Sequence, residues 1–232
     1  MGFYDNYNFD GLQLFSQIKE IPEVSEPCPE FISVVEQLKS TRRNISVAEV
    51  GIGAGATTLR TLEILDEGDL YCCFDFLYVV KMFLHDIDSD RFNVKCKVIA
   101  FGNSELEWDS YNWNLSNMVL QMRERHEFGM FDAVYLDGAH AFIHDGLAVC
   151  LLKELVKDGG YLVLDDLKFV YWPDYREIHK NRMPQNQMED AQVSRAQKIF
   201  LDGDPNFEKL SPPDAERGIF KKRSVTPKFD GR

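Results

Sequence analysis

Apolar residues change their spacing along the chain at about residue 46. Before that point they recur at helical spacing after a proline, at Phe31, Val34, Val35 and Leu38. This spacing predicts an amphipathic, partly helical preface over residues 1–45. After that point, apolar runs typical of strands alternate with segments that have helical spacing. Strands separated by helices indicate β-α-β units, and therefore a parallel sheet with helices on both faces.

The alternating region that begins at residue 46 contains five predicted strands and four predicted helices. The predicted strands are SVAEVGIG, DLYCCFDF, KCKVIAFGNS, FDAVYLDGAH and GYLVLDDL. The predicted helices are ATTLRTLEILDEG, LYVVKMFLHDI, NLSNMVLQMRERHEFG and GLAVCLLKELVKDGG. Glycine often follows the last turn of a helix, so we expect Gly159 and Gly160 to end the last of these helices.

The C-terminal part of the chain has a different pattern. The segment NFEKLSPPDAERGIFKKRS contains two short strand-like runs without a helix between them, which predicts an antiparallel hairpin at one edge of the sheet. The predicted fold class is therefore α/β: a Rossmann-like, doubly wound sheet of seven strands, mostly parallel, over residues 46–223. Residues 167–204 are too long for an ordinary connection, and we expect a lid or substrate wall there. Residues 224–232 form a tail.

A glycine-rich turn follows the first strand of the alternating region. Glycine lets the backbone approach a ligand closely, and the next helix offers free N–H groups at its start. The glycines in question are Gly51, Gly53 and Gly55. Glu49 could receive a cationic amine, and Asp75, at the end of the next strand, could accept both hydroxyls of a ribose. These acids favour a nucleoside that carries an amino acid and a sulfonium over a bare diphosphate.

Three aspartates stand at the ends of two later strands: Asp137 follows FDAVYL, and Asp165 and Asp166 follow GYLVL. In an open parallel sheet, ligands bind outside the carboxyl ends of the strands, so these aspartates are expected at the same edge as the glycine turn. Three crowded carboxylates need a cation, or one of them must be protonated. A hard divalent metal, above all Mg²⁺, would satisfy them. The alternative is that they cap the next helix or pair with Lys or Arg.

His140 follows Asp137 by three residues in DGAH and is expected to face the same site. A neutral imidazole in this place is a candidate general base. His144 would add a metal pair of the HxxxH type only if the segment is helical. Two groups of aromatic residues are candidate walls of a ligand pocket. They are Phe169, Tyr171, Trp172 and Tyr175 after the last β-α strand, and Trp108, Tyr111 and Trp113 after the third strand.

The order of these motifs resembles class I S-adenosylmethionine (SAM) methyltransferases over roughly residues 46–223: EVGIGAG, a strand that ends in Asp75, FDAVYLDGAH, GGYLVLDDL and a closing hairpin. The resemblance implies that Glu49 lies near the methionine end of SAM and that Asp75 holds the ribose. It places Asn103 and Ser104 near the adenine, where many families carry an acid and this chain shows none. It also implies that three glycines wrap the methionine and ribose portions, namely Gly51, Gly53 and Gly55.

The aspartates and the histidine resemble a narrower group. Metal-dependent methyltransferases of the macrocin O-methyltransferase type act on sugar hydroxyls in macrolide and aminocoumarin antibiotic pathways. They share an Asp-Gly-x-His segment and an Asp-Asp pair at the next strand end, which this chain matches with Asp137, Gly138, His140, Asp165 and Asp166. The resemblance implies that Asp137, Asp165 and Asp166 are the metal ligands. His140 would be the base, with Asp137 beside it in the catalytic group.

Charge and composition narrow the class of partner. Twenty-six Lys and Arg against 38 Asp and Glu give a net charge of −12, which disfavours nucleic acid as a substrate. No apolar run reaches the length of a membrane span, and the start lacks the pattern of a signal peptide. Five cysteines without a CxxC pair fit reduced thiols in the cytoplasm. We therefore expect a cytoplasmic enzyme that methylates a hydroxyl of a small acceptor. Association as a homo-oligomer stays open.

The sequence leaves several alternatives. An NAD(P)-dependent oxidoreductase would use Gly51, Gly53 and Ala56 as the dinucleotide fingerprint GxGxxA. A methyltransferase acting on an amine or amide would use the same SAM cradle. A metal-free methyltransferase would keep its activity in EDTA. A non-catalytic SAM-binding or nucleotide-binding subunit would use the aspartates only as caps.

Overall fold

The computed structural model of the protein describes residues 26–88, 93–104, 106 and 108–224. The strands are β1 (Ser46–Val50), β2 (Leu70–Phe76), β3 (Lys97–Asn103), β4 (Phe131–Leu136), β5 (Val156–Leu164), β6 (Phe207–Lys209) and β7 (Gly218–Lys222). The helices are α1 (Pro29–Thr41), α2 (Ala56–Ile64), α3 (Leu77–Asp88), α4 (Tyr111–Glu124), α5 (Phe142–Leu155), α6 (Arg176–His179), α7 (Gln185–Met188) and α8 (Gln192–Phe200). The predictions for residues 1–25 and 225–232 lie outside the described residues.

The strands form one sheet in the order β3-β2-β1-β4-β5-β7-β6. The pairs among β1 to β5 are parallel, and β7 is antiparallel to both β5 and β6. The predicted seven-stranded α/β sheet with an antiparallel hairpin at one edge is therefore confirmed. The strand order reverses between β1 and β4, and open α/β sheets bind ligands in the crevice at the carboxyl ends of such a pair.

Each face of the sheet has its own hydrophobic core, because successive residues of a strand point to opposite faces. On one face, Val47 and Tyr71 belong to a core that includes residues of α1, α2 and α3. On the other face, Ala48 and Cys72 belong to a core with residues of α4, α5 and α8. This double covering explains why β1 and β4 are buried on both faces and read as apolar runs in the sequence.

The helix predicted in the preface is α1, which packs against the sheet. It begins at Pro29, and the thiol of Cys28 accepts a hydrogen bond from the N–H of Phe31. The Phe31 ring stacks on Tyr135 of β4 with 5.0 Å between ring centroids. The backbone N–H of Cys28 also donates to the hydroxyl of Thr57 in α2 at 3.0 Å. The domain boundary at residue 45 stays a prediction.

The C-terminal end of α5 differs from the prediction. We expected the helix to run to Gly159 and Gly160, but it ends at Leu155 and β5 starts at the next residue. Val156 pairs with Phe131 of β4, and the register then shifts before Tyr161. The strand starts this early because Val156 is a buried β-branched residue, which pairs well in a sheet. The two glycines therefore lie within the irregular first part of β5 and do not end the helix.

The stretch over residues 167–204 contains three helices of different kinds. Both α6 and α7 are single turns, whereas α8 packs against α5 and contributes Val193 and Ala196 to a core. The part from Gln192 onward therefore covers the sheet, and a lid role for the part before it stays a prediction. In the ranges that the structure describes, no helix combines the length and apolarity needed to cross a bilayer.

Candidate functional site

The glycine turn lies where the chain leaves β1 and enters α2. Gly51 has a φ of +85°, and a Cβ at this position would stand 1.7 Å from the carbonyl oxygen of Asp137. Only glycine therefore allows the turn to come this close to the end of β4. The N–H of Asp137 donates to the carbonyl oxygen of Val50 at 2.9 Å. The glycine turn and the first of the predicted metal ligands are thus direct neighbours.

The start of α2 faces the end of this turn. Gly55 is the N-cap residue, and no side chain caps the first turn of the helix. The first N–H groups of a helix have no partner within the helix, and they favour anionic groups. A ligand carboxylate in the glycine turn would find these donors.

Asp75, at the carboxyl end of β2, binds the glycine turn itself. Its Oδ2 accepts the N–H of Ile52 at 2.8 Å and the N–H of Gly53 at 2.9 Å. Its Oδ1 accepts the N–H of Phe76 at 2.6 Å. Burial raises the pKa of this carboxyl, and the backbone hydrogen bonds oppose the rise. Asp75 therefore fixes the turn, and its contact with a ribose stays a prediction.

Glu49 lies beneath the turn. Glu49 is only 1 % exposed, and the hydroxyl of Tyr71 donates to its Oε2 at 2.5 Å. Burial raises the pKa of this carboxyl to about 8, so it is protonated at neutral pH. The structure does not bring Glu49 to the surface of the turn, and its predicted contact with a ligand amine stays a prediction.

The two residues predicted near the adenine follow β3. Asn103 is buried and donates from Nδ2 to the carbonyl oxygen of Ser104 at 3.4 Å. Ser104 donates to Oδ2 of Asp109 from its hydroxyl at 2.7 Å and from its N–H at 2.6 Å, and both bonds lower the pKa of that carboxyl. The sequence showed no acid at the end of β3, but folding brings Asp109 back to this place from the start of α4.

Asp137, His140 and Asp166 form a compact cluster at the carboxyl ends of β4 and β5. The potential ligand atoms of the three residues lie within 4.8 Å of one another. Nε2 of His140 is 2.9 Å from Oδ1 of Asp137 and 3.2 Å from Oδ2 of Asp166. The structure therefore brings together two of the three predicted metal ligands and the predicted base.

The electrostatics of the cluster follow from its two carboxylates. Burial alone would lower the pKa of His140, but its hydrogen bond to Asp137 and the charges of both aspartates raise it to about 9. Burial raises the pKa of Asp166 to about 6, and the charge of His140 opposes this rise. A protonated imidazole thus supplies the positive charge that the two carboxylates need. Carboxylate oxygens in this arrangement also suit a hard divalent cation.

Asp165 does not join this cluster. Its Oδ1 is 3.0 Å from Nε of Arg217, and the hydroxyl of Tyr135 donates to its Oδ2. Arg217, which precedes β7, also pairs with Glu30 of α1 at 3.1 Å. Asp165 therefore has the structural partners that the sequence left as an alternative, and its role as a metal ligand stays a prediction. Arg217 has no local sequence signal, because its partners come from distant parts of the chain.

Aromatic residues of the stretch after β5 adjoin the cluster. The ring of Phe169 lies 4.8 Å from the ring of His140 and 5.0 Å from that of Tyr171, measured between centroids. The ring of His179 packs on Tyr171 at 4.6 Å. Trp172 instead packs against Arg176. This part of the predicted substrate wall therefore borders His140.

The other aromatic group divides into buried and exposed residues. Trp108 and Trp113 are 87 % and 70 % exposed, whereas Tyr111 is buried and donates a hydrogen bond to Asp145. His144 lies in α5, but it is not part of the cluster that could hold a metal among the described residues. Its ring faces Tyr111 instead.

Comparison with solved structures finds O-methyltransferases with the same fold. TomG from Streptomyces achromogenes, which takes part in tomaymycin synthesis and was solved with SAM, is 11 % identical with a TM-score of 0.55, over 91 % of this chain and 88 % of that one. An O-methyltransferase from Bacillus cereus in complex with S-adenosylhomocysteine (SAH) is 14 % identical with a TM-score of 0.54, over 95 % and 96 % of the two chains.

A third similar structure contains a metal. The methyltransferase MycE of the mycinamycin biosynthetic pathway, solved with Mg and SAH, is 17 % identical with a TM-score of 0.53, over 95 % of this chain and 58 % of that one. At these identities the likeness establishes the fold. No family model and no curated protein matches the sequence.

Proposed function

We propose that the protein is a SAM-dependent O-methyltransferase that acts on a hydroxyl of a small polar acceptor, such as a sugar or a natural-product intermediate. The observation that carries this proposal is the contact between the glycine turn and Asp137. Because Gly51 touches the backbone of Asp137, a donor in the turn and an acceptor beside His140 would share one edge of the sheet. The SAM, SAH and Mg in the similar structures support the same assignment.

Different residues at this edge of the sheet would bind the methyl donor and activate the acceptor. The glycine turn, supported by Asp75, would hold SAM, which would supply the methyl group at the crevice between β1 and β4. In its neutral form His140 would remove the proton of the acceptor hydroxyl, and Asp137 orients its ring from 2.9 Å. Transfer is a displacement in line with the methyl, so it depends mainly on the positions of the two reactants.

A divalent cation fits this site. Asp137 and Asp166 would hold it, because their carboxylate oxygens already lie on either side of one positive charge. Such a cation supplies the countercharge that the imidazolium supplies here, and it makes an acceptor hydroxyl more acidic. Asp165 would become a third ligand by turning away from Arg217.

Two measurements test the proposed function. Calorimetric titration should show binding of SAH and none of NAD⁺, which separates a methyltransferase from an oxidoreductase. Incubation with SAM and a panel of sugars, phenols, amines and amides, followed by detection of SAH and of the methylated product, should show O-methylation. Methylation of amines alone would show that the acceptor is an amine and not a hydroxyl. SAH binding without transfer to any acceptor would favour the non-catalytic alternative.

Metal dependence has its own test. EDTA should abolish methylation and Mg²⁺ should restore it. His140→Gln and Asp166→Asn should lower kcat about 100-fold or more, which is the range for loss of general acid–base catalysis. The matched control is Asp158→Asn, an exposed acid at the opposite edge of the sheet, which should keep wild-type activity. Full activity in EDTA would refute the metal and leave the methyltransferase assignment standing.

A further inference from the structure

Side-chain hydrogen bonds hold both peptide groups that flank the Cα of Ala139. The N–H of Ala139 donates to Oδ1 of Asp145 at 3.2 Å, and the hydroxyl of Tyr171 donates to the carbonyl oxygen of Ala139 at 2.5 Å. Tyr111 donates its own hydroxyl to the same Oδ1 of Asp145. These three side chains come from α5, from the stretch after β5 and from α4. We call them the Ala139 clamp.

The Ala139 clamp contains a side chain that lowers the stability of the folded protein. Asp145 is 1 % exposed, and within the described part of the chain its Oδ2 has no hydrogen-bond partner. Burial raises the pKa of this carboxyl, which shows that its charge is poorly compensated. A buried acid with an unpaired oxygen costs free energy that a neutral side chain would not. The oxygen that accepts from both Ala139 and Tyr111 is therefore held in place at a cost in stability.

The residue next to the clamp needs external support. His140 has a φ of 55°, in the left-handed region that a non-glycine residue adopts only rarely. Such a conformation is strained and persists only where the surroundings impose it. The carbonyl that Tyr171 holds belongs to the peptide that supplies the N of His140. Fixing this peptide fixes the direction from which the His140 side chain leaves the backbone.

Tyr171 acts on His140 by a second route. Its ring packs against Phe169 at 5.0 Å, and Phe169 packs against the imidazole at 4.8 Å. One tyrosine therefore supports both the backbone of His140 and, through Phe169, its ring.

We propose that Asp145, Tyr111 and Tyr171 are positioning residues, which hold the Ala139 peptides so that Nε2 of His140 stays between Asp137 and Asp166. The role in proton removal rests on the proposed function. The placement of the ring does not, and it can be measured without any reaction.

The test uses single-atom and larger changes in the intact protein. Tyr171→Phe removes one bond of the clamp, and Asp145→Ala removes the acceptor of the other. Asp145→Asn keeps an oxygen that can accept from both Ala139 and Tyr111, so it is the conservative rescue. Tyr161→Phe, at a buried tyrosine on the other face of the sheet, is the matched control. Unfolding in urea verifies that each variant is folded. If Asp145→Ala does not fold, Tyr171→Phe tests the proposal on its own.

The first readout is the ¹H–¹⁵N spectrum of the histidine rings, with the His140 signals assigned by their loss in His140→Gln. Tyr171→Phe and Asp145→Ala should shift or broaden these signals, whereas Asp145→Asn and Tyr161→Phe should leave them near the wild-type positions. The second readout is kinetic. The first two variants should lower kcat about 10- to 100-fold, as expected for a displaced catalytic group, with the KM for SAM and the affinity for SAH unchanged.

The outcomes separate the two proposals. Unchanged His140 signals in both Tyr171→Phe and Asp145→Ala would overturn the positioning role, even if wild-type methyl transfer is established. A loss of SAH affinity equal to the loss of kcat would overturn it as well, because it would indicate general damage. If the wild type methylates no acceptor, the proposed function fails, and the ring signals still decide the placement of His140.

Discussion

Glu49 illustrates how one buried side chain can make the stability of the protein depend on pH. Its pKa is about 8 in the folded protein because it is buried, against an ordinary value of 4.5. Between these values the folded state binds a proton that the unfolded state does not. The free energy of unfolding contributed by this group is therefore complete below about pH 4.5 and falls as the pH rises to about 8.

Glu49→Gln should remove this dependence, because glutamine keeps an oxygen for Tyr71 and cannot ionise. Between pH 5 and 8 the wild type should lose stability relative to the variant by at most about 1.4 kcal/mol per pH unit. Urea unfolding of both proteins at several pH values measures the difference, and subtraction cancels the other titrating groups. Parallel curves would show that the carboxyl is already ionised in the folded state.

Gly51 permits a second experiment on a single residue. Gly51→Ala imposes both a strained φ and an overlap with Asp137, so we expect a loss of about 3 kcal/mol or more and no binding of SAH. Gly203→Ala is the control, because Gly203 has a similar φ of +89° and no atom within 4 Å of an added Cβ. It should lose only the smaller strain energy and keep SAH affinity. Equal losses in the two variants would contradict the role of close approach.

At the scale of elements, a cluster at the amino ends of the strands joins three segments. Asp132 of β4 accepts from Arg42 after α1 at 2.7 Å, from the N–H of Ser46 in β1 at 2.9 Å and from Lys157 in β5 at 2.7 Å. Burial raises the pKa of Asp132, but these partners together hold it below its usual value. The cluster lies at the opposite edge of the sheet from the candidate site.

Asp132→Asn should therefore destabilise the fold without changing SAH affinity. We expect a loss of about 2–3 kcal/mol, less than for a fully buried pair because both cationic partners are partly exposed. Glu154→Gln, which breaks the exposed pair with Arg123, should change stability by less than about 1 kcal/mol. Urea unfolding and SAH titration measure both effects, and a selective loss of SAH affinity in Asp132→Asn would contradict the separation of the two edges.

At the scale of the whole molecule, the sequence predicts the architecture well. Apolar runs and glycines determine where strands end, so Asp75, Asp137 and Asp166 were placed at one edge of the sheet from their positions alone. Interactions between distant segments have no such local signal. The turning of Asp165 toward Arg217 and the hydrogen bond of Tyr171 to Ala139 each join residues from separate parts of the chain. The early end of α5 likewise depends on the pairing of Val156 with β4.

The global stability of the protein offers a test of the cation that does not depend on catalysis. If Asp137 and Asp166 bind Mg²⁺ in the folded state only, a concentration 100 times the Kd should stabilise the protein by about 2.7 kcal/mol. For a chain of this size, Tm should rise by about 2–4 °C per kcal/mol. MgCl2 should act more strongly than KCl of equal ionic strength, and Asp137→Asn and Asp166→Asn should abolish the difference. Equal effects of the two salts would count against a specific site.

The Ala139 clamp has a consequence for mutational tolerance. A Cβ at Gly138 would stand 2.5 Å from Oδ1 of Asp145 and 2.7 Å from the hydroxyl of Tyr111, so any other residue here would displace these two side chains of the clamp. The side chain of Ala139 is exposed, and only its backbone is engaged. A saturation library should therefore strongly favour glycine at position 138 and accept almost any residue except proline, which lacks the N–H, at position 139. At position 139 the fold therefore constrains the backbone and leaves the side chain free to vary.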